Sequence, residues 1–262
     1  MEGKVQRWNI NIKTDMMNSV EIYSEQLFTF IEIMASTGKV INVDHRKKHD
    51  TFIENWLSSI INFHINRLNI EEPDNINATI WATKEPYNNN FIHTHLDHDD
   101  FEEWVAGTNT HSPFLSCITF FDDSSDIPFI STDITSEMWC NKDFNNINNK
   151  ILNVEYPKIL KHVSFEGGKY YHGEGYTEYP ILRSPRKKIV IALWKSKPLA
   201  DVFRLENYVM DTIGKDYCIS LKSYKNLISF SPEFDMEFIP YNKGVKIIKV
   251  TDTDEINYSF FM

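Results

Sequence analysis

Residues 91–100, FIHTHLDHDD, hold three of the chain's nine histidines together with three aspartates. Imidazole nitrogens and carboxylate oxygens are ligands of divalent transition metals. In a strand, residues i and i+2 share a face about 6.5 Å apart, whereas i and i+4 lie roughly 13 Å apart. His93 and Asp97 are therefore too distant for one ion in a straight strand, and His95 belongs to either possible pair. The segment indicates a metal site, and the competing interpretation is a solvated polar loop.

A pair formed by His95 and Asp97 needs one further histidine to complete the two-histidine, one-carboxylate face that leaves three positions open on iron(II). The later candidates are His111, His162 and His172. His172 is favoured because it follows the turn-forming EGGK within KYYHG, where glycines let the backbone approach a ligand closely. His162 precedes the apolar VSF, and we interpret it as a surface residue at the start of a strand. His93, His98 and Asp99 are interpreted as neighbours of the site.

The segment SPRKKIVIALWK, residues 184–195, alternates as a strand does. One face carries the even positions Arg186, Lys188, Val190, Ala192 and Trp194. The opposite face is purely apolar and is typical of a core. Because small side chains follow the cations on the even face, that face has space for a carboxylate ligand.

Helical spacing of apolar residues predicts helices over about 18–36, ending at Gly38, and over about 51–68, with Asp50 as a cap. His64 lies on the apolar stripe of the second helix, and we interpret it as a packing residue. Short β-type runs follow, and LSCITFF and IPFISTDI, separated by DDSSD, predict a hairpin. One further helix is expected around residues 204–212, with strand-like MEFIPY and KGVKIIKV after it.

The formal charge of −10 disfavours electrostatic capture of nucleic acid, which usually requires a basic face. Three cysteines without a CxxC pair fit a reducing compartment and exclude a disulfide framework. No run of 18 apolar residues occurs, so neither a signal peptide nor a membrane span is expected. These features predict a soluble, cytoplasmic protein without a membrane partner; they do not determine its oligomeric state.

The order of three features resembles the iron(II)- and 2-oxoglutarate-dependent oxygenases: HLD at 95–97, then YYHG with His172, then RKKIVIALW. HLDHDD, PFLSCITFFDDSSDIPFIST and FEGGKYYHG are similar to the motifs of a prolyl-hydroxylase-like branch of that superfamily. The resemblance covers residues 79–194, roughly half of the chain.

The resemblance implies a mainly β fold with flanking helices, of α+β class, around a double-stranded β-helix, also called a jelly-roll or cupin-like core. The expected arrangement is an N-terminal helical buttress over residues 1–78, the catalytic core over 79–198 and a C-terminal α/β extension over 199–262.

The resemblance further implies that His95, Asp97 and His172 bind iron(II). Lys188 would pair with the distal carboxylate of 2-oxoglutarate, and Arg186 is the alternative because a guanidinium can bind a carboxylate through two hydrogen bonds. Three more residues are candidates for the co-substrate pocket, with core packing as the alternative role: Trp81, Tyr87 and Thr119.

The activity implied by the resemblance uses iron(II), the co-substrate 2-oxoglutarate and dioxygen. It hydroxylates a C–H bond of a protein, peptide or small-molecule substrate and releases succinate and carbon dioxide. Two alternatives stay open from the residues alone. One is a cupin-like metal enzyme that does not use 2-oxoglutarate, and the other is a non-catalytic jelly-roll protein that binds a partner.

Overall fold

Alternating and continuous apolar runs form strands along most of the chain that the structure describes. The structure is a computed structural model, and it describes residues 5–13, 31, 40–49, 52–85, 95–98, 111–122, 128–143, 146, 151–174, 186–196, 203–204, 233–239 and 245–246. These residues form a mainly β protein with few helices, consistent with a β-sandwich. None of the helices described is both long and apolar enough to cross a membrane.

The elements with described bounds are two α-helices, one short 3₁₀-helix (Pro73–Asn75) and twelve strands. The α-helices are α1 (Phe52–Arg67) and the short α2 (Ser136–Cys140). The strands are β1 (Gln6–Lys13), β2 (Ile41–Asn42), β3 (Asn77–Glu85), β4 (Leu115–Phe120), β5 (Phe129–Thr135), β6 (Ile151–Glu155), β7 (Lys161–Phe165), β8 (Tyr170–Glu174), β9 (Arg186–Trp194), β10 (Phe203–Arg204), β11 (Glu233–Ile239) and β12 (Val245–Lys246).

The strands form two sheets. The larger sheet has the order β10-β2-β3-β9-β4-β7-β1-β11, and the smaller has the order β12-β6-β5-β8. Neighbouring strands run antiparallel except for β10 and β2, which are parallel. Strands before residue 78 and after residue 199 therefore join the same sheets as the central strands.

Two apolar clusters lie on opposite faces of the larger sheet. The residues Ile189, Ile191 and Leu193 of β9 pack in a cluster with helix α1, which we call the helix-side cluster. Val190 of β9 packs instead with Phe129 of β5 in the smaller sheet, in what we call the inter-sheet cluster. The face assignment predicted from the alternation of β9 is confirmed for these four residues.

Helix α1 supplies much of the helix-side cluster. Its fully buried apolar residues recur at helical spacing: Trp56, Leu57, Ile60 and Ile61. Burial of one such side chain contributes about 1.5–3 kcal/mol, so packing rather than propensity stabilises the helix. The helix is followed by Asn69 with a φ of 50°, a left-handed conformation that asparagine tolerates and that ends helices. The prediction of a helix over 51–68 is confirmed.

A buried ion pair joins the two sheets. Arg7 on β1 donates to the carboxylate of Glu155 on β6, and both side chains are almost fully buried. Lys161 at the start of β7 places its Nζ 2.9 Å from the same carboxylate. Removing one partner of such a pair costs about 3–5 kcal/mol because the other charge stays buried.

Several sequence predictions need correction or fall outside the described residues. The hairpin is wrong, because β4 pairs with β7 and β9 whereas β5 pairs with β6 and β8 in the other sheet. Strands β1, β2, β6 and β10 were not predicted. Of the first predicted helix only Ile31 is described, buried in the helix-side cluster. Asp50 lies outside the described residues, as do residues 204–212 apart from Arg204 in β10. The strand-like MEFIPY and KGVKIIKV overlap β11 and β12.

Candidate metal centre

His95 and His172 face each other in an antiparallel β-bridge. The amide of His95 donates to the carbonyl of His172 at 2.8 Å, and the amide of His172 donates to the carbonyl of His95 at 2.9 Å. Directly opposed residues of an antiparallel pair project their side chains to the same side. Their ring centroids are accordingly 4.6 Å apart.

Asp97 completes a group of three ligand atoms. Its Oδ1 lies 3.3 Å from His172 Nε2 and 3.7 Å from His95 Nε2, and the three atoms are all within 4.8 Å of one another. Ligand atoms at right angles on one metal, with bonds of about 2.0–2.2 Å, are roughly 3 Å apart. The donor set and its spacing therefore fit one divalent transition metal bound on a single face.

The hydrogen bond of His172 settles which of its nitrogens can bind a metal. Its Nδ1 lies 3.0 Å from the carbonyl oxygen of Tyr170. A carbonyl can only accept, so Nδ1 carries a proton, and Nε2, which faces Asp97, is the nitrogen that can bind a metal once it gives up any proton of its own. The ring is buried beside Phe165 and Phe129, with centroids 4.6 and 6.1 Å away. This apolar surrounding fixes the imidazole on the inter-sheet side.

Asp97 is held in its ionised form. Burial acts to raise the pKa of its carboxyl, but the charge of His172 and hydrogen bonds with His172, His95 and Ser116 outweigh burial and hold the pKa well below its usual range. The side chain of His95, by contrast, is 49% exposed. The group therefore combines an ionised carboxylate and a buried imidazole with one side that is open to solvent.

Two residues at this centre were missed by the sequence analysis. Ser116 of β4 donates its hydroxyl proton to Asp97 Oδ2, and the carbonyl of Gly167 accepts from the Asp97 amide at 2.9 Å. A serine within the mainly apolar FLSCITFF and the double glycine shortly before His172 were the available signals. Neither signal shows that the two residues contact Asp97, because that contact depends on the packing of distant segments.

The residues expected to bind the co-substrate are described only in part. Lys188 is buried on β9, and strand alternation puts it on the same face as Val190 of the inter-sheet cluster. Trp81 of β3 stands opposite Val190 and packs against that cluster. Arg186 begins β9, but its side chain lies outside the described residues, as do Tyr87 and His93 altogether.

Thr119 and His162 lie on the face of the larger sheet that helix α1 covers, so Thr119 agrees with the core-packing alternative, whereas the expectation that His162 is a surface residue is wrong. Their side chains contact each other, with Thr119 Oγ1 2.8 Å from His162 Nδ1. His162 Nε2 lies 2.8 Å from Nε2 of His64 on helix α1, and His162 is fully buried rather than on the surface. The helix covers this face of the sheet, which separates Thr119 from the candidate metal centre.

His64, His162 and the buried Cys117 form a second group of possible metal ligands in the described part of the chain. Arg67 Nη2 lies 3.2 Å from His64 Nδ1. Because arginine can only donate, a neutral His64 must carry its proton on Nε2 and donate it to His162 Nε2. His162 then donates from Nδ1 to Thr119. His64 Nε2 therefore carries a proton, and the lone pair of His162 Nε2 accepts it. Neither Nε2 atom is left to bind a metal.

The protonation of this second group agrees with the hydrogen-bond order. Burial, with the nearby Arg67 charge, lowers the pKa of His162 to about 3, and burial, His162 and Arg67 lower the pKa of His64 well below its ordinary value. Burial also raises the pKa of the Cys117 thiol far above its ordinary value. The group therefore consists of two neutral imidazoles and a protonated thiol, and His64 is a packing residue as predicted.

Comparison with known proteins gives little further information. No protein family matches the sequence, and no curated protein matches it. Among solved structures, the chain is similar to a prolyl 4-hydroxylase from Phytophthora capsici, with 9% sequence identity and a TM-score of 0.37. The match covers 78% of this chain and 64% of that chain, so it spans less than two thirds of the other protein. A TM-score of this size does not establish a shared fold.

Proposed function

We propose that this chain is an iron(II)- and 2-oxoglutarate-dependent dioxygenase in which His95, Asp97 and His172 bind the metal. The observation that carries the proposal is the convergence of their three ligand atoms within 4.8 Å. These residues also stand in the order of motifs by which the sequence resembles that superfamily. The proposed fold of the core, residues 79–198, is a double-stranded β-helix, with residues 1–78 and 199–262 as its N- and C-terminal additions.

When bound, iron(II) with 2-oxoglutarate and dioxygen would supply the oxidant for C–H hydroxylation, with release of succinate and carbon dioxide. The chain itself contributes the geometry. The paired backbones of His95 and His172 keep the two imidazoles side by side. The contact between Asp97 and Gly167 brings the carboxylate to them, and the aromatic rings around His172 exclude water from one side of the centre.

Lys188 is our candidate for the residue that binds the distal carboxylate of 2-oxoglutarate. It is a buried cation on the strand face directed to the inter-sheet cluster. Its positive charge is what the distal carboxylate of 2-oxoglutarate requires of a binding residue. Arg186, which begins the same strand, is the alternative. The substrate that we propose is a protein, a peptide or a small molecule.

The test is release of succinate from 2-oxoglutarate by the purified protein with iron(II) in air. The wild-type protein should produce succinate, and His172→Ala should reduce the rate roughly 100-fold or more, since loss of groups that merely support a metal ligand already costs 10–100-fold. His98→Ala is the matched control, because its Nδ1 contacts the Leu96 carbonyl and it is not one of the three ligands.

The same experiment separates the alternatives. A folded wild-type protein that binds one iron but produces no succinate with a broad set of candidate substrates overturns the proposal and favours a metal enzyme that does not use 2-oxoglutarate. A folded protein that retains no iron after reconstitution overturns it in favour of a non-catalytic role.

A further inference from the structure

We infer that Ser116, with Gly167, selects which oxygen of Asp97 faces the metal, and thereby sets how many metal positions stay open. Ser116 is a positioning residue in this account, since it acts through Asp97. The inference rests on the proposed function and concerns the same centre.

Ser116 is placed rigidly. It is fully buried on β4, which lies between β9 and β7 in the middle of the larger sheet. Its backbone stands opposite Phe165 of β7 and Ala192 of β9. An ionised carboxylate can only accept, so the serine hydroxyl is the donor to Asp97 Oδ2. The direction of this hydrogen bond is therefore fixed by chemistry.

The two oxygens of Asp97 consequently have different partners. Oδ2 is engaged by Ser116, whereas Oδ1 faces Nε2 of His172 and Nε2 of His95. A carboxylate with both oxygens available can bind a cation through one or both of them. With Oδ2 held by the hydroxyl, Asp97 binds through Oδ1 alone. Two imidazoles and one carboxylate oxygen then leave three of six positions open, whereas a bidentate carboxylate would leave two.

Gly167 makes room for this arrangement. A Cβ at residue 167 would lie 2.2 Å from Asp97 Oδ2, 2.2 Å from Ser116 Oγ and 2.8 Å from Ser116 Cβ. Asp97 Oδ2 and Ser116 Oγ are the two atoms that hydrogen-bond to each other. Any side chain at residue 167 must therefore displace one of them. The carbonyl of Gly167 meanwhile holds the Asp97 amide. The glycine thus fixes the Asp97 backbone while leaving space for its carboxylate.

The test compares metal binding by the purified full chain with iron(II) and with the spectroscopic probe cobalt(II). Ser116→Ala should bind iron(II) about 10–100-fold more weakly, as expected for loss of a group that orients a metal ligand. It should also change the ligand-field absorption of bound cobalt(II), because the carboxylate is released to bind through both oxygens. Gly167→Ala should produce the same two changes by displacing Asp97 or Ser116.

Ser164→Ala is the matched control. Ser164 is also a buried serine, and it lies on the adjacent strand β7, where its backbone stands opposite Cys117. It should keep the wild-type affinity and cobalt spectrum. Ser116→Thr, which retains a hydroxyl, should bind iron(II) more tightly than Ser116→Ala. Wild-type affinity together with a wild-type spectrum in Ser116→Ala would overturn the inference while leaving the proposed function intact. A wild-type protein that binds neither metal would overturn the proposed function itself.

Discussion

The backbones of His95 and His172 hydrogen-bond to each other in both directions, although 77 positions separate the two residues in the sequence. The pair brings a short segment after β3 against β8 at the edge of the smaller sheet. The imidazoles are therefore set side by side by main-chain hydrogen bonds before any metal binds. A centre assembled in this way has a small ordering cost on binding.

Metal binding should stabilise the folded chain. Manganese(II) at 100 times its dissociation constant should add about 2.7 kcal/mol to the free energy of unfolding, because the unfolded chain does not hold the three ligands together. Chemical denaturation with and without the metal measures this gain. Manganese(II) should raise the free energy of unfolding of His98→Ala as much as that of the wild type, and that of His172→Ala only a little. An equal gain in His172→Ala would place the metal elsewhere.

The group of His64, His162 and Cys117 should not bind a metal. Its hydrogen-bond order uses both Nε2 atoms, and burial keeps the Cys117 thiol protonated. Cobalt(II) titration should therefore reach one ion per chain and show no thiolate charge-transfer absorption. Binding of a second cobalt(II) ion with a thiolate charge-transfer absorption that disappears in Cys117→Ser would contradict this prediction.

Patterns within one segment predicted their part of the structure well. The apolar stripe of residues 51–68 became α1, and the alternation of β9 assigned its two faces correctly. Both are local consequences of helix and strand periodicity. The site ligands depended on several motifs in order, and the structure brings His95, Asp97 and His172 together.

Features that depend on contacts between distant segments could not be predicted in this way. A five-residue polar connector fits both a hairpin and a crossing between two sheets, so the pairing of β4 and β5 was wrong. His162 was predicted to be a surface residue because it precedes the apolar VSF at a strand start, but α1 covers it. The contact of Ser116 and Gly167 with Asp97 likewise joins three separate segments.

The buried histidine pair should make the protein less stable in mild acid. The pKa of His162 is lowered to about 3 in the folded chain, whereas an unfolded histidine titrates near 6.5. Below pH 6.5 the unfolded chain therefore binds more protons, and stability that is complete above that pH is lost as the pH falls toward 3. For one imidazole kept neutral, the loss at pH 5 is about 2 kcal/mol.

Denaturation of the wild type and His162→Gln at pH 7 and pH 5 measures this effect. Glutamine does not titrate, so the variant should lose less stability between the two pH values, whatever its stability at pH 7. His64→Gln is a second variant with the same expected direction. Equal pH dependence in the wild type and both variants would show that the pair does not stay neutral.

Lys188→Ala should weaken binding of 2-oxoglutarate more than it slows turnover. Loss of one partner of a buried charged pair costs at least about 2 kcal/mol, which corresponds to a roughly 30-fold higher KM for 2-oxoglutarate. Lys187→Ala removes the same charge from the opposite strand face and should leave the KM near the wild-type value. An unchanged KM in Lys188→Ala, with a raised one in Arg186→Ala, would assign the role to Arg186 instead.

Anaerobic addition of iron(II) and then 2-oxoglutarate, followed by visible absorption, tests the central claim most directly. The wild type should develop a metal-to-ligand charge-transfer band that requires both additions, and Asp97→Ala and His172→Ala should not develop it. A folded wild-type protein without the band, or a band of wild-type intensity in both variants, would contradict the assignment of His95, Asp97 and His172 as the metal ligands.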